Sequence, residues 1–261
     1  MARTPYVTRN EVEMFAAKIE FAKQGRSPKL MKDATVSLLF TWYRNGQIVG
    51  DFWPMSDHEA HLEAHVILPD TDALDEVNNN SHAERILPTC GPTTVTILGR
   101  DPYLPDCCRC PSRSSMGLFT HFRNIAPPVV CLDCYDPIPL YRLPRLRNDE
   151  QLEILNWMED NRACDTLLMH GNTGERFCEE QLAHYNSSLN RNASFVARSL
   201  ERILRIPVYY FIHENHDRTS DPILTHRCPS CEQNWQIFER VKLFSLRCEE
   251  CRLLSTRHVI M

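Results

Sequence analysis

Four cysteines near the end of the chain stand in two C-x2-C pairs, Cys228/Cys231 and Cys248/Cys251, with sixteen residues between the pairs. A C-x2-C turn places two thiolates on one tight loop whose backbone N–H groups can hydrogen-bond the sulfurs, and two such loops supply the four tetrahedral ligands that zinc prefers. The alternating stretch WQIFERVKLFSLR can form the hairpin that brings the second pair back beside the first. The spacing therefore predicts a zinc ribbon over residues 226–261. A dithiol redox centre needs one C-x2-C in a β-α-β setting, which is not the setting here. A second cluster is less regular. Cys131 and Cys134 form one pair, and twenty residues upstream CCRC offers either Cys107 or Cys108 to partner Cys110. Either choice suits a second zinc module, with Cys110, Cys131 and Cys134 as its other ligands. Cys90, Cys164 and Cys178 lack close partners in sequence and read as core residues.

Charge decides where a polyanion could bind. The formal net charge of the chain is −5, which excludes a global polycation that would hold nucleic acid by bulk attraction. From His226 onward six basic and four acidic residues occur, and four thiolates around one divalent ion bring that module close to neutral. Residues 105–148 offer more: Arg109, Arg113, Arg123, Arg142, Arg145 and Arg147 lie among Phe119, Phe122, Tyr135 and Tyr141. Such a mixture can grip phosphates and stack bases, and these six arginines are the expected nucleic-acid contacts. The same arginines can equally pair with local acids.

Catalytic patterns are weak by comparison. His213 and His216 are three apart, whereas a zinc-protease helix needs histidines four apart. GNTGER has neither the spacing nor the Lys-Ser/Thr of a phosphate loop and reads as a turn, with Thr173 capping the helix that follows. NSSLN lacks a nucleophile elbow and reads as capping chemistry. On a strand His61 and His65 share one face and His58 takes the other, which disfavours a histidine metal site. The sequence thus points to binding rather than to an enzyme.

The elements that must position these residues follow from periodicity. With 43% hydrophobic and 24% charged residues over 261 positions, the chain can build a packed core. Val12, Phe15, Ala16, Ile19 and Ala22 suggest a first amphipathic helix. Asn45-Gly46 between the β-rich runs 35–43 and 47–53 suggests a hairpin. A strand over HEAHLEAHVIL, a helix from DTDAL to RIL with an Asp or Thr cap, and a strand at TTVTILG complete an expected N-terminal domain, 1–104, with helices on one face of a sheet. The central cysteine module, 105–148, is followed by a helical segment with a strand, 149–217, and a polar linker at 214–222. The fold class is α+β, with an N-terminal sheet and helices, a central cysteine loop, a helical segment and a C-terminal zinc ribbon. The opening residues have neither a signal-peptide nor a membrane-span pattern, so a cytoplasmic protein with reduced thiols is expected.

Several stretches in order, CRCPSRSSMGLFT, CLDCYDPIPLYRLP, ACDTLLMHGNTGERF, NSSLN, PVYYFI and CPSC with CEECRLLS, resemble a bacterial family of unknown role. That family is described as zinc-ribbon-containing, with a nucleic-acid-binding role inferred from the ribbon. The resemblance covers about residues 100–257, and the NGQIVG region more loosely. It implies a zinc ribbon at Cys228, Cys231, Cys248 and Cys251, and a C-x-C followed by C-x2-C in the central cluster, which favours Cys108 over Cys107. The chain departs from the family in reading MHGNTGERF where a cysteine near His170 is expected. The function expected is a non-enzymatic zinc-ribbon protein that binds nucleic acid. The alternative is a protein-binding adaptor or inhibitor, immunity-like, in which the zinc sites are structural and the acidic surface meets a basic partner.

Overall fold

The computed structural model describes residues 14–143, 146, 148–213, 227–241 and 244–256. Residues 14–100 run β1 (Phe15–Ala22), α1 (Pro28–Asn45), β2 (Met55–Asp57), β3 (His61–Leu68), α2 (Ser81–Cys90) and β4 (Thr93–Arg100). The strands order β2-β3-β1-β4 with every neighbouring pair antiparallel, which is the ferredoxin-like β-α-β-β-α-β arrangement. Strand alternation sends Ala17, Ile19 and Phe21 of β1, with Leu62, Ala64, Val66 and Leu68 of β3, into the core, where Phe21 stacks on Trp42 of α1. Helices therefore cover one face, as expected.

Two elements differ from the sequence expectation. The first amphipathic segment is a strand: Phe15, Ala16, Ile19 and Ala22 mimic a helical stripe, but β1 is central and hydrogen-bonds along its length to β3 and β4. Its flanking position Val12 lies outside the described residues. The supposed hairpin is α1, opened by a proline in its first turn and burying Met31, Thr35, Leu38, Leu39 and Trp42 at helical spacing. Gly46 ends the helix in the left-handed region (φ 76°), where its N–H meets Tyr43 O at 2.9 Å, so Asn45-Gly46 is a helix stop. A Cβ there would also lie 2.6 Å from the Leu140 backbone nitrogen. Beyond it only Val49 bridges to the sheet, opposite Ile67, and the expected second strand does not form. The next helix begins later than expected, with Asn80 accepting from the N–H groups of His82 and Ala83.

Residues 116–255 contain β5 (Met116–Leu118), β6 (Val129–Cys131), α3 (Asn148–His170), α4 (Glu175–Ala183), α5 (Ser188–Leu204), β7 (Val208–Phe211), β8 (Gln236–Val241), β9 (Phe244–Cys248) and β10 (Leu253–Ser255). Gly174, left-handed at φ 71°, caps α4 in place of Thr173. Ser187 caps α5 by accepting from the Asn190 N–H, which accounts for the NSSLN motif. The six strands form one sheet, β6-β5-β7-β10-β9-β8. β7 runs parallel to β5 on one side and to β10 on the other, so central module and C-terminal module extend a single sheet. The two cysteine modules also share one core, to which Cys108, Cys131, Cys228 and Cys248 all belong.

The two sheets meet through α1 and α3. Buried Gln151 donates to Asn45 Oδ1 at 3.0 Å, and Tyr43 donates to Glu159 at 3.2 Å. The expected linker at 214–222 lies outside the described residues. Among the described residues no helix is long and apolar enough to cross a membrane.

Candidate metal centres

Cys108, Cys110, Cys131 and Cys134 bring one sulfur each to within 4.8 Å of one another, and Cys228, Cys231, Cys248 and Cys251 do the same. Tetrahedral ligands at zinc–sulfur distances of about 2.3 Å stand about 3.8 Å apart. The Cys131–Cys110 and Cys231–Cys248 separations are 3.9 Å and 3.6 Å, so both tetrads have the dimensions of a closed four-thiolate site.

The local backbone explains why these sites form. In each C-x2-C turn the residue after the second cysteine adopts positive φ: Tyr135 at 65°, Glu232 at 60° and Arg252 at 57°. That left-handed step curls the chain, so Tyr135 N–H reaches Cys131 O at 2.8 Å and Glu232 N–H reaches Cys228 O at 2.9 Å. It also turns amides toward sulfur. The Cys110 N–H points at Cys108, those of Asp133 and Cys134 at Cys131, those of Ser230 and Cys231 at Cys228, and that of Cys251 at Cys248, the last at 3.5 Å. Exposed Glu232 offers a check on this geometry. Glu232→Val is expected to lower stability by about 1–2 kcal/mol in urea titrations, because a β-branched residue is strained at φ 60°, whereas Glu232→Gly should not destabilise. Equal effects would show that the turn does not demand that conformation.

Four thiols this close cannot all ionise by themselves. The hydrogen bond from Cys131 draws Cys108 down to about 4, helped by Arg113, whose Nε donates to its sulfur at 3.4 Å. Donation to Cys108, and then burial, push Cys131 up, while burial lifts Cys134 to about 12 and Cys248 to about 11. A divalent cation held by the four sulfurs would supply the charge that lets all four become thiolates. Cys107 takes no part. It packs with Met14, Val49 and Ala126, and burial pushes its thiol up to about 12.

Of the four described central arginines, three have partners within the fold. Arg109 and Arg142 both donate to Oδ2 of buried Asp70, and Arg113 serves Cys108. Arg123 is exposed, with its guanidinium 5.7 Å from the Phe122 ring centre. Arg145 and Arg147 lie outside the described residues. Of the aromatics, Phe119 meets Phe211 and Phe244 edge-on, with centroids 5.2 and 5.3 Å away, and so ties the two cysteine modules together.

A different basic surface escaped the sequence reading. The exposed positions of α5 after its first residue are Arg191, Phe195, Arg198 and Arg202, and Arg205 follows at the helix end. Their spacing of four, three, four and three is one helical stripe, legible in the sequence once α5 is known to bury Ala193, Val196, Ala197 and Leu200. Beside it Glu201 receives Arg252 bidentately at 2.9 and 3.0 Å, clamping the C-terminal module to α5.

Fold and sites together define a two-sheet α+β protein with a pair of four-cysteine tetrads positioned to bind metal ions. The chain is similar, over residues 110–213, to a domain of unknown function (DUF2310), and over 14–91 and 223–258 to two further domains of unknown function (DUF8589 and DUF8594). An uncharacterised protein of Haemophilus influenzae is 27% identical over 226 residues, covering 82% of this chain and 86% of that relative. A second from the same organism is 28% identical over 141 residues, covering 53% and 68%. No solved structure matches. The resemblance to bacterial proteins of unknown role stands, and the matched descriptions do not mention a zinc ribbon.

Proposed function

We propose that this chain is a non-enzymatic, zinc-stabilised protein of the reducing cytoplasm that binds the phosphate backbone of nucleic acid along α5. Sulfur-only tetrads with internally donated N–H groups suit zinc as a structural ion. The α5 stripe is the observation that carries the binding reading. Four arginines spread over about 21 Å of helix present planar forks that match phosphate geometry, and Phe195, 55% exposed among them, offers a ring for base stacking. Among the described residues none of the four is ion-paired to a carboxylate: Arg191 donates to Asn186 O and Arg202 to Ser199 Oγ. The nearby acids Glu201 and Glu249 are engaged by Arg252 and Arg247. Of the described central arginines, Arg109, Arg113 and Arg142 serve the fold, and exposed Arg123 is the one left for such a contact.

Binding of a labelled single-stranded oligonucleotide, followed by anisotropy across a salt series, tests this. Changing Arg191, Arg198, Arg202 and Arg205 to alanine is expected to lower the slope of log affinity against log salt by up to about 3 units, at roughly 0.7 per lost contact. Arg109→Ala should leave the slope unchanged. An unaltered slope in the quadruple variant would remove α5 from the interface. A wild type without salt-sensitive affinity for single- or double-stranded nucleic acid would remove the function.

One observation favours the protein-binding alternative. Among the described residues β4 is an edge strand, it carries no charged residue from Thr93 to Gly99, and Val95, Ile97 and Leu98 are 39–55% exposed, which suits pairing with a partner strand. In that case Ile97→Lys, not the arginine changes, should abolish partner binding.

A further inference from the structure

The open face of the first sheet carries a cluster that neither the tetrads nor α5 uses. We propose that His58, His61 and Glu63 form a third, solvent-facing divalent-metal site of imidazole and carboxylate donors, suited to zinc. His61 and Glu63 are two apart on β3 and share its outer face. His58 was assigned to the opposite side by strand alternation, but it lies in the turn before β3, where alternation does not hold. Its N–H donates to His61 O at 3.0 Å, and the turn folds it back so that the two imidazoles stack with centroids 4.6 Å apart. Lys23 holds this turn by donating to Asp57 Oδ1 at 2.6 Å and to His58 O. As a result one donor atom from each of His58, His61 and Glu63 lies within 4.8 Å of the others.

The donor set and its surroundings suit a borderline cation. Two imidazoles and a carboxylate leave a fourth position toward solvent, unlike the closed thiolate tetrads. Glu63 is oriented by His65, whose Nε2 stands 3.0 Å from Oε1, the kind of outer contact that fixes a ligating carboxylate. Glu20, across the β1–β3 ladder from Glu63, adds negative charge 3.4 Å from His61 Nε2. The cation now serving these acids is Lys18, at 3.2 Å from Glu20 and 3.4 Å from Glu63. Lys18 is therefore a competitor: a divalent ion must displace its ammonium from Glu63, and its removal should strengthen binding.

Equilibrium dialysis of the full chain against rising free zinc, with protein-bound metal measured by mass spectrometry, tests the site. The wild type should pass from two zinc ions per chain to three. His61→Ala and Glu63→Gln should stay at two over the same range, with the third dissociation constant raised at least tenfold. Lys18→Met should fill the third site at several-fold lower zinc, an outcome that general loss of structure would not produce. His82→Ala, an exposed histidine on α2, should behave as wild type. Failure of a third ion to bind, its retention in both ligand variants, or unchanged affinity in Lys18→Met would overturn the proposal.

Discussion

Stripping the metal with a chelator under reducing conditions, or replacing Cys248 with serine, is expected to unfold far more than the C-terminal ribbon. Structural zinc in a four-cysteine site contributes on the order of 10 kcal/mol to folding, comparable with the whole stability of a typical domain. In this chain that contribution is shared. β10 lies between β9 and β7, Leu254 packs against Gly117 of β5, and the Phe119, Phe211 and Phe244 rings meet in one cluster. Arg252, directly after the last ligand, is held by Glu201 of α5. Losing the tetrad removes β10 from β7 and exposes both. Hydrogen exchange should therefore show Cys248→Ser losing protection across β7 and the end of α5 as well as β9 and β10. Exchange confined to residues 227–255 would show instead that the ribbon folds as an independent unit.

Asp70→Asn is expected to cost about 3 kcal/mol, read as a lower urea midpoint at unchanged slope, because it breaks a buried pair from one side only. The Asp70 side chain is 6% exposed just past β3 and takes Arg142 and Arg109 on one oxygen, while its other oxygen accepts the Thr71 N–H at 2.7 Å. Arg142, 17% exposed, cannot turn out to water, and its remaining acid, Asp72, stands 3.8 Å away. An amide in place of the carboxylate leaves that largely covered guanidinium with Asp72 as its one acid among the described residues. Arg109 is 47% exposed and can re-solvate, so Arg109→Ala should cost under about 1 kcal/mol. A midpoint for Asp70→Asn indistinguishable from wild type would mean that this pair does not join the first sheet to the central loop.

The sequence by itself determined what short-range backbone geometry controls. Both C-x2-C pairs of the ribbon, and Cys131/Cys134, were legible because a knuckle needs only six residues of chain to place two sulfurs and their amide donors. Helices α3 to α5 and strands β3, β4 and β7 carried their own periodicity. Local signals failed where two structures satisfy the same pattern. A glycine at positive φ serves a hairpin or a helix end, and only burial of Trp42, Leu39 and Leu38 against the sheet makes Gly46 the latter. The alanines of β1 fit either period until β3 and β4 pair with it.

Spacing left two adjacent cysteines open, the family resemblance favoured Cys108, and tertiary structure separates them by position, with Cys107 among Met14, Val49 and Ala126 and Cys108 in the tetrad. It also decided which charges are paired. Arg109 and Arg142 meet an aspartate 39 and 72 positions away, a separation that composition cannot see, and a stripe of exposed arginines lies on the outer side of a helix whose inner face is committed to the core. The joining of two cysteine modules into one sheet rests likewise on β7, which carries none of the ligands, because pairing between strands distant in sequence depends on which edges the packed helices leave open.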